Sequence, residues 1–128
     1  MKFVLLLFLA LPCFAQADLP DHGTLADIKG SKVYIVANTE HLKQMTKVLT
    51  KAFTIVGSTS GADFFLEYKA TYIKEVSALK LPVETGQLDA YVYRDTQKVI
   101  VWTDSTSSGG STAAKLSKRF ITAWKKLN

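Results

Sequence analysis

Residues 64–72 read FFLEYKATY, and apolar side chains alternate there with mostly polar ones. Successive side chains of a β-strand point to opposite faces of its sheet, so such alternation predicts a strand with one face on a hydrophobic core. The core-facing side is expected to consist of Phe64, Leu66, Tyr68, Ala70 and Tyr72.

Strand patterns recur on both sides of this stretch. Lys32–Ala37 is a β-branched apolar run, typical of a strand that is buried on both faces. Gln87–Arg94 alternates, and a turn at Asp95–Lys98 is expected to connect it to a partner strand at Val99–Thr103. Thr54–Gly57 is expected to form one more short strand.

Two segments have the periodicity of amphipathic helices. The first follows Asn38 or Thr39, either of which can cap it, and is expected to run to about Phe53. The second is expected over residues 111–127. Connections without regular structure are expected at residues 18–31, 77–86 and 105–112.

The resulting order of elements is β-α-β-β-β-β-α. It predicts an α+β fold, a two-layer sandwich in which two helices pack on one face of a mixed, mostly antiparallel sheet of four to five strands. Each helix has one apolar stripe, which that arrangement would bury.

The amino terminus has the pattern of a cleavable signal peptide over residues 1–17. Lys2 precedes the apolar run Phe3–Leu11, and Ala15-Gln16-Ala17 supplies the small residues that signal peptidase requires. An apolar run of this length is too short for a membrane-spanning helix, which needs about 20 residues. We therefore expect a secreted or periplasmic protein whose single domain occupies residues 18–128, with no transmembrane segment after cleavage.

Cleavage would remove Cys13, the only cysteine of the chain, and with it thiol, disulfide and cysteine-based zinc chemistry. Lipidation of Cys13 is the alternative. Loss of Lys2 from the 16 basic residues leaves 15 against 11 acidic ones, a formal charge of +4. An excess of positive charge favours anionic partners, and export makes nucleic acid the least suitable of these.

No catalytic, cofactor-binding or metal-binding residues are predicted. His22 and His41 do not have the spacing of a zinc site, and no nucleophile-elbow or phosphate-loop motif is present. Ser111 or Thr112 is interpreted as a helix cap, with anion binding by the preceding glycines as the alternative. The basic last helix is expected to dock on its own sheet, and the alternative is a helix that lies on an anionic membrane.

The sheet face away from the helices is the candidate partner surface. If Leu88 and Val92 face the core, Tyr91 and Tyr93 point to the opposite face, and Phe65 joins them there. Exposed aromatic side chains can bind a protein partner, a component of the cell envelope or a second copy of the chain. A solvated sheet face without a function is the simpler interpretation.

Three segments carry a resemblance to known proteins: Leu25–Gly30 before the first strand, Gly61–Leu66, and the hairpin that ends in Val99–Trp102. The chain resembles small exported bacterial domains of unknown function, of the secreted and lipoprotein types. It is more distantly similar to the amino-terminal domain of TolB and to the curli-secretion lipoprotein. It departs from the lipoproteins because Pro12 precedes Cys13, and the resemblance implies no catalytic residues.

These observations favour an uncharacterised secreted or periplasmic protein that acts as a non-enzymatic binding or envelope-associated module. The alternative is a small secreted hydrolase or an enzyme inhibitor. An enzyme would show polar groups that converge in a pocket.

Overall fold

The computed structural model describes residues 21–73, 83–108 and 110–127, so the predicted signal peptide lies outside the described residues. The predicted α+β class is confirmed, because a mixed sheet carries two helices on one face. The strands are β1 (Asp21–His22), β2 (Lys32–Val36), β3 (Thr54–Ile55), β4 (Phe64–Ile73), β5 (Val83–Arg94) and β6 (Gln97–Ser108), and the helices are α1 (Thr39–Leu49) and α2 (Thr112–Leu127).

The strands lie in the order β1-β6-β5-β4-β2-β3. The long strands β4, β5 and β6 form an antiparallel meander. Strand β2 is parallel to both β3 and β4, since α1 carries the chain back across the sheet before β3 begins. The sheet is therefore mixed, with its longest pairings antiparallel.

The core lies between the sheet and the two helices. Helical spacing places Met45 and Leu49 of α1 and Leu116 and Phe120 of α2 on the faces that meet the sheet, and all four are fully buried. Four of the residues predicted for the core side of β4 point toward them: Phe64, Leu66, Tyr68 and Ala70. The sheet side of the core includes Val33, Ile35, Phe64, Leu66, Leu88, Ala90, Val92 and Val99.

Helix α1 ends four residues earlier than its apolar periodicity predicts. Asn38 caps its first turn, since its side-chain oxygen accepts a hydrogen bond from the His41 amide at 2.9 Å. The chain leaves the helix after Leu49, although the Phe53 amide still donates to the Leu49 carbonyl at 2.9 Å. Phe53 remains in the core, so periodicity alone could not show where the helix stops.

Strands β5 and β6 extend into residues that were expected to be connections. Residues 83–86 belong to β5, whereas the earlier part of the expected loop lies outside the described residues. Residues 105–108 belong to β6. The two extensions pair with each other, and the side chains of Thr85 and Ser107 are hydrogen-bonded at 2.8 Å. Pairing with a neighbouring strand thus overrides the preference of serine and glycine for loops.

Strand β1 falls within residues 18–31, where little regular structure was expected. It is parallel to β6, opposite Val99 and Ile100, and the Gly23 amide continues the pairing with a hydrogen bond to the Ile100 carbonyl at 2.8 Å. Two residues are too few for periodicity to be visible in the sequence. The result is a sixth strand at the edge of the sheet.

A β-bulge interrupts the pairing of β5 with β6. Tyr91 lies opposite Ile100 and Ala90 opposite Trp102, so Val101 is an extra residue of β6. Because Ala90 faces the helices, Trp102 does too, and Val101 packs on the same side. Two consecutive side chains of β6 therefore point toward α2.

Candidate functional site

The three residues of the predicted partner surface lie side by side on the sheet face away from the helices. Phe65 of β4 lies opposite Tyr91 of β5, and their rings stack with centroids 5.2 Å apart. Tyr93 meets both rings edge-on, at 5.3 Å from Phe65 and 5.7 Å from Tyr91. The alternation of the two strands thus predicts this neighbourhood correctly.

These aromatic rings offer a partner less surface than the sequence suggests. Phe65 is 9% exposed and Tyr91 is 6% exposed, whereas Tyr93 is 51% exposed. The Lys98 ammonium lies 4.2 Å from the centre of the Tyr91 ring and 3.4 Å from a carboxylate oxygen of Glu67. Burial, and next the negative charge of Glu67, raises the pKa of Tyr91 to about 12. A role for this surface in binding stays a prediction.

A buried polar cluster lies on the opposite face, between α1 and the sheet. Nε2 of His41 lies 3.1 Å from Oε1 of Glu84, and the Tyr68 hydroxyl donates to Oε2 of the same carboxylate. The rings of His41 and Tyr68 meet edge-on at 4.7 Å. The cluster fixes the start of α1 to β4 and β5. Sequence reasoning missed it because Glu84 was expected in a loop and Tyr68 had only an apolar role.

A groove of about 880 Å³ opens between α2, strand β6 and the segment that follows β1. Its floor is apolar and includes Leu25, Val101 and Trp102. The indole of Trp102 rests edge-on against Phe120 at 5.2 Å, which joins the floor to the core. The bulge that turns Val101 and Trp102 to one face is thus what forms the floor.

Basic side chains form the helical rim of the groove. Four basic residues of α2 line this rim. Four positions separate Lys115 from Arg119 and eight separate Lys118 from Lys126, so helical spacing places them along one side of the helix. Arg119 pairs with Asp104 of β6 at 3.3 Å. Elsewhere on this rim, no described carboxylate lies within ion-pair distance of the three lysines. Among the described residues, three of the four positive charges on this rim thus have no acidic partner.

Only one of the two parts of this groove could be predicted from the sequence. The basic face of the last helix was visible, with four of its residues now on the rim, but the apolar floor was not. In a regular strand at Val99–Thr103, Val101 and Trp102 would point to opposite faces. The bulge depends on the register between β5 and β6, which the predicted hairpin turn does not specify.

The described residues lack two features that would indicate other functions. No three histidine, cysteine, aspartate or glutamate side chains among them lie close enough together to hold a metal ion. None of the helices in residues 21–73, 83–108 and 110–127 is long and apolar enough to cross a membrane.

Comparison with solved structures shows a likeness in fold. The chain is similar to a minor lipoprotein from Acinetobacter baumannii, with a TM-score of 0.44 and 14% sequence identity. The similarity covers 78% of this chain and 95% of the lipoprotein chain. No family model and no curated protein matches the chain.

Proposed function

We propose that this protein is a non-enzymatic binding module of the cell envelope, and that the basic groove is its binding site. The observation that carries the proposal is the combination of an apolar floor at Trp102 with a rim of lysines on α2 that pair with no carboxylate of the described residues. Concave sites of this kind, mostly apolar with a few charged groups at the edge, are typical of binding sites. The export signal predicted for residues 1–17 supports a location outside the cytoplasm.

The groove favours a ligand that is both anionic and partly apolar. Covering about 100 Å² of apolar surface contributes about 2.5 kcal/mol. An exposed ion pair contributes only about 0.2–1 kcal/mol. The floor would therefore supply most of the affinity, whereas the lysine rim would select the sign of the ligand's charge and accelerate its association.

Affinity capture from the envelope fraction of the producing cells tests the proposal. The exported chain is compared with a groove variant, Lys118→Glu/Lys126→Glu, and with a matched control, Lys43→Glu/Lys47→Glu. The control makes the same charge change on exposed positions of α1. We expect one stoichiometric component that the wild type and the control retain and the groove variant loses.

Two results would contradict the proposal. Equal retention by all three proteins would mean that binding does not involve the groove, and recovery of the chain alone would mean that it is not a binding module. Cleavage of the captured component would support the alternative of a small secreted hydrolase instead. Loss of activity in a captured enzyme would support an inhibitor.

A further inference from the structure

Strand β6 has an edge that the rest of the described chain leaves uncovered. It runs from Gln97 to Ser108, but β1 pairs with it only at Val99 and Ile100. Beyond Ile100, no strand formed by the described residues lies along this edge. The uncovered part borders the basic groove, since Trp102 and Asp104 line it.

Strand β1 demonstrates that this edge accepts an extended chain. The Ile100 carbonyl points outward and accepts the Gly23 amide at 2.8 Å. Backbone groups of successive residues point to opposite edges of a strand. The bulge at Val101 shifts this alternation by one residue. Beyond it, the residues that face outward are Thr103, Ser105 and Ser107, and the outward-facing Ser105 amide donates to the Asp104 side chain.

Asp104 occupies the place of a pairing partner at this edge. Its Oδ1 accepts the hydrogen bond of the Ser105 amide at 2.8 Å, as the carbonyl of an added strand would. Its Oδ2 pairs with Arg119 across the groove at 3.3 Å. An incoming chain could take the Ser105 amide while an acidic side chain of that chain takes Arg119. The Ser105 amide would then keep a hydrogen-bond acceptor, and Arg119 would keep a carboxylate partner.

We propose that the groove binds an extended acidic peptide segment, which adds to β6 as a further strand. The inference rests on the proposed function and names its ligand class. Side chains of the added strand would alternate, so that every second one enters the groove. Apolar residues there would meet Trp102, and acidic ones would meet Lys115, Lys118 and Arg119.

The uncovered backbone is the reason to favour a peptide over an anionic lipid. A lipid headgroup would pair with the lysines but would leave the amide and carbonyl groups of β6 to water. A peptide provides complementary backbone groups at the same spacing as β6, and its acidic side chains complement the rim of α2. It therefore uses both features that border the groove.

Isothermal titration with synthetic peptides tests strand addition. The probe is a seven-residue peptide with glutamate or leucine, in turn, at positions one, three, five and seven. Threonine occupies the three positions between them. Two further peptides carry N-methyl groups on the backbone amides of one edge or of the other edge. We expect one methylated peptide to bind about tenfold more weakly and the other to bind like the probe, since only one edge of an added strand faces β6.

Protein variants test the charged contacts with the same probe. Lys118→Ala should weaken binding about two- to fivefold, whereas the control Lys47→Ala on α1 should leave it unchanged. Asp104→Ala should strengthen binding of the probe, because it frees the Ser105 amide at the edge of β6. Asp104→Asn should strengthen it less, since the amide oxygen can still accept from Ser105.

Several results would overturn the inference. They are equal binding of both methylated peptides, no binding of the probe, or groove-dependent binding of phosphatidylglycerol vesicles in place of the probe. In each case, a component that the groove variant loses in the capture experiment would leave the proposed function standing. If the probe peptide does not bind and the capture experiment also gives no component that depends on the groove, the proposed function is wrong as well.

Discussion

The two faces of the sheet both bury aromatic side chains, but by different means. On the helical face, Phe64 of β4 is fully buried against Phe120 of α2, with their ring centroids 5.7 Å apart. On the open face, Phe65 and Tyr91 are buried by neighbours in the same sheet, among them Tyr93. A second layer excludes water from every side, whereas a cluster within one layer depends on its outermost members.

The difference indicates which side chains contribute most to the stability of the domain and at which positions substitutions are tolerated. Removal of a side chain from between two close-packed layers leaves a cavity that surrounding atoms fill only in part. On the open face, water and the long side chain of Lys98 can occupy the vacated space. We therefore expect the effects of substitution to decrease from the helical face to the open face.

The largest effect is expected for Phe120→Ala on the helical face. Phe120 is fully buried and contacts Phe53, Phe64 and Trp102. Its removal should lower the free energy of unfolding by about 3–5 kcal/mol, as measured by urea denaturation. Leu127→Ala, on the same helix but 56% exposed, is the control and should change it by less than about 0.5 kcal/mol. Similar values for the two variants would contradict the layered core.

A smaller effect is expected for Gly86→Ala, beside the polar cluster of the helical face. A Cβ atom at Gly86 would lie 2.7 Å from Cζ of the Tyr68 ring, so the ring would have to move away from Glu84. We expect a loss of about 1–3 kcal/mol in thermal or urea unfolding. Gly57→Ala is the matched control, because no described atom lies within 4 Å of the added carbon. A Gly86 variant as stable as the Gly57 variant would show that Tyr68 is not held in place.

The next effect concerns Tyr91 on the open face and appears only in alkali. Its pKa is about 12 in the folded chain against an ordinary value of 10.0, so the unfolded chain loses the proton first. The stability that Tyr91 contributes is therefore complete below pH 10 and is lost between about pH 10 and 12, by at most about 3 kcal/mol. Tyr91→Phe should lose less stability over that range in urea unfolding. If the free energy of unfolding falls equally with pH in the wild type and in Tyr91→Phe, the raised pKa of Tyr91 is wrong.

The smallest effect is expected for Tyr93→Ala at the margin of the open face. Half of its surface is already in water, and its two edge-on ring contacts should be worth about 0.5–1 kcal/mol in urea unfolding. Light scattering of the same variant tests whether the open face joins two copies of the chain. Dissociation of a wild-type dimer would support that partner surface. A wild-type monomer that both Tyr91→Ala and Tyr93→Ala leave unchanged would exclude it.

The features predicted correctly from the sequence are those with a local period. The apolar stripe of each helix and the alternation of β4 and β5 determined the α+β class and brought Phe65, Tyr91 and Tyr93 to one face. The burial of Tyr91 could not be predicted, because it depends on the register between β4 and β5 and on Lys98 from β6.

Long-range pairing accounts for what the sequence did not reveal. Strand β1 pairs with residues 99 and 100, far along the chain. Glu84 meets His41 across 43 positions, and the bulge at Val101 arises from the fit between two strands. None of these has a signal in its immediate neighbours, which is why the groove was missed although its basic rim was visible.

The bulge also determines where β6 can change in length. Deletion of Val101 would bring Ile100 and Trp102 together opposite Tyr91 and Ala90, and every pair on either side would keep its partner. Deletion at Thr103 would instead shift the pairing of the strand beyond it and turn its side chains to the other face. Natural insertions and deletions in this hairpin should therefore concentrate at position 101, where the cost is one buried valine and not the register of the sheet.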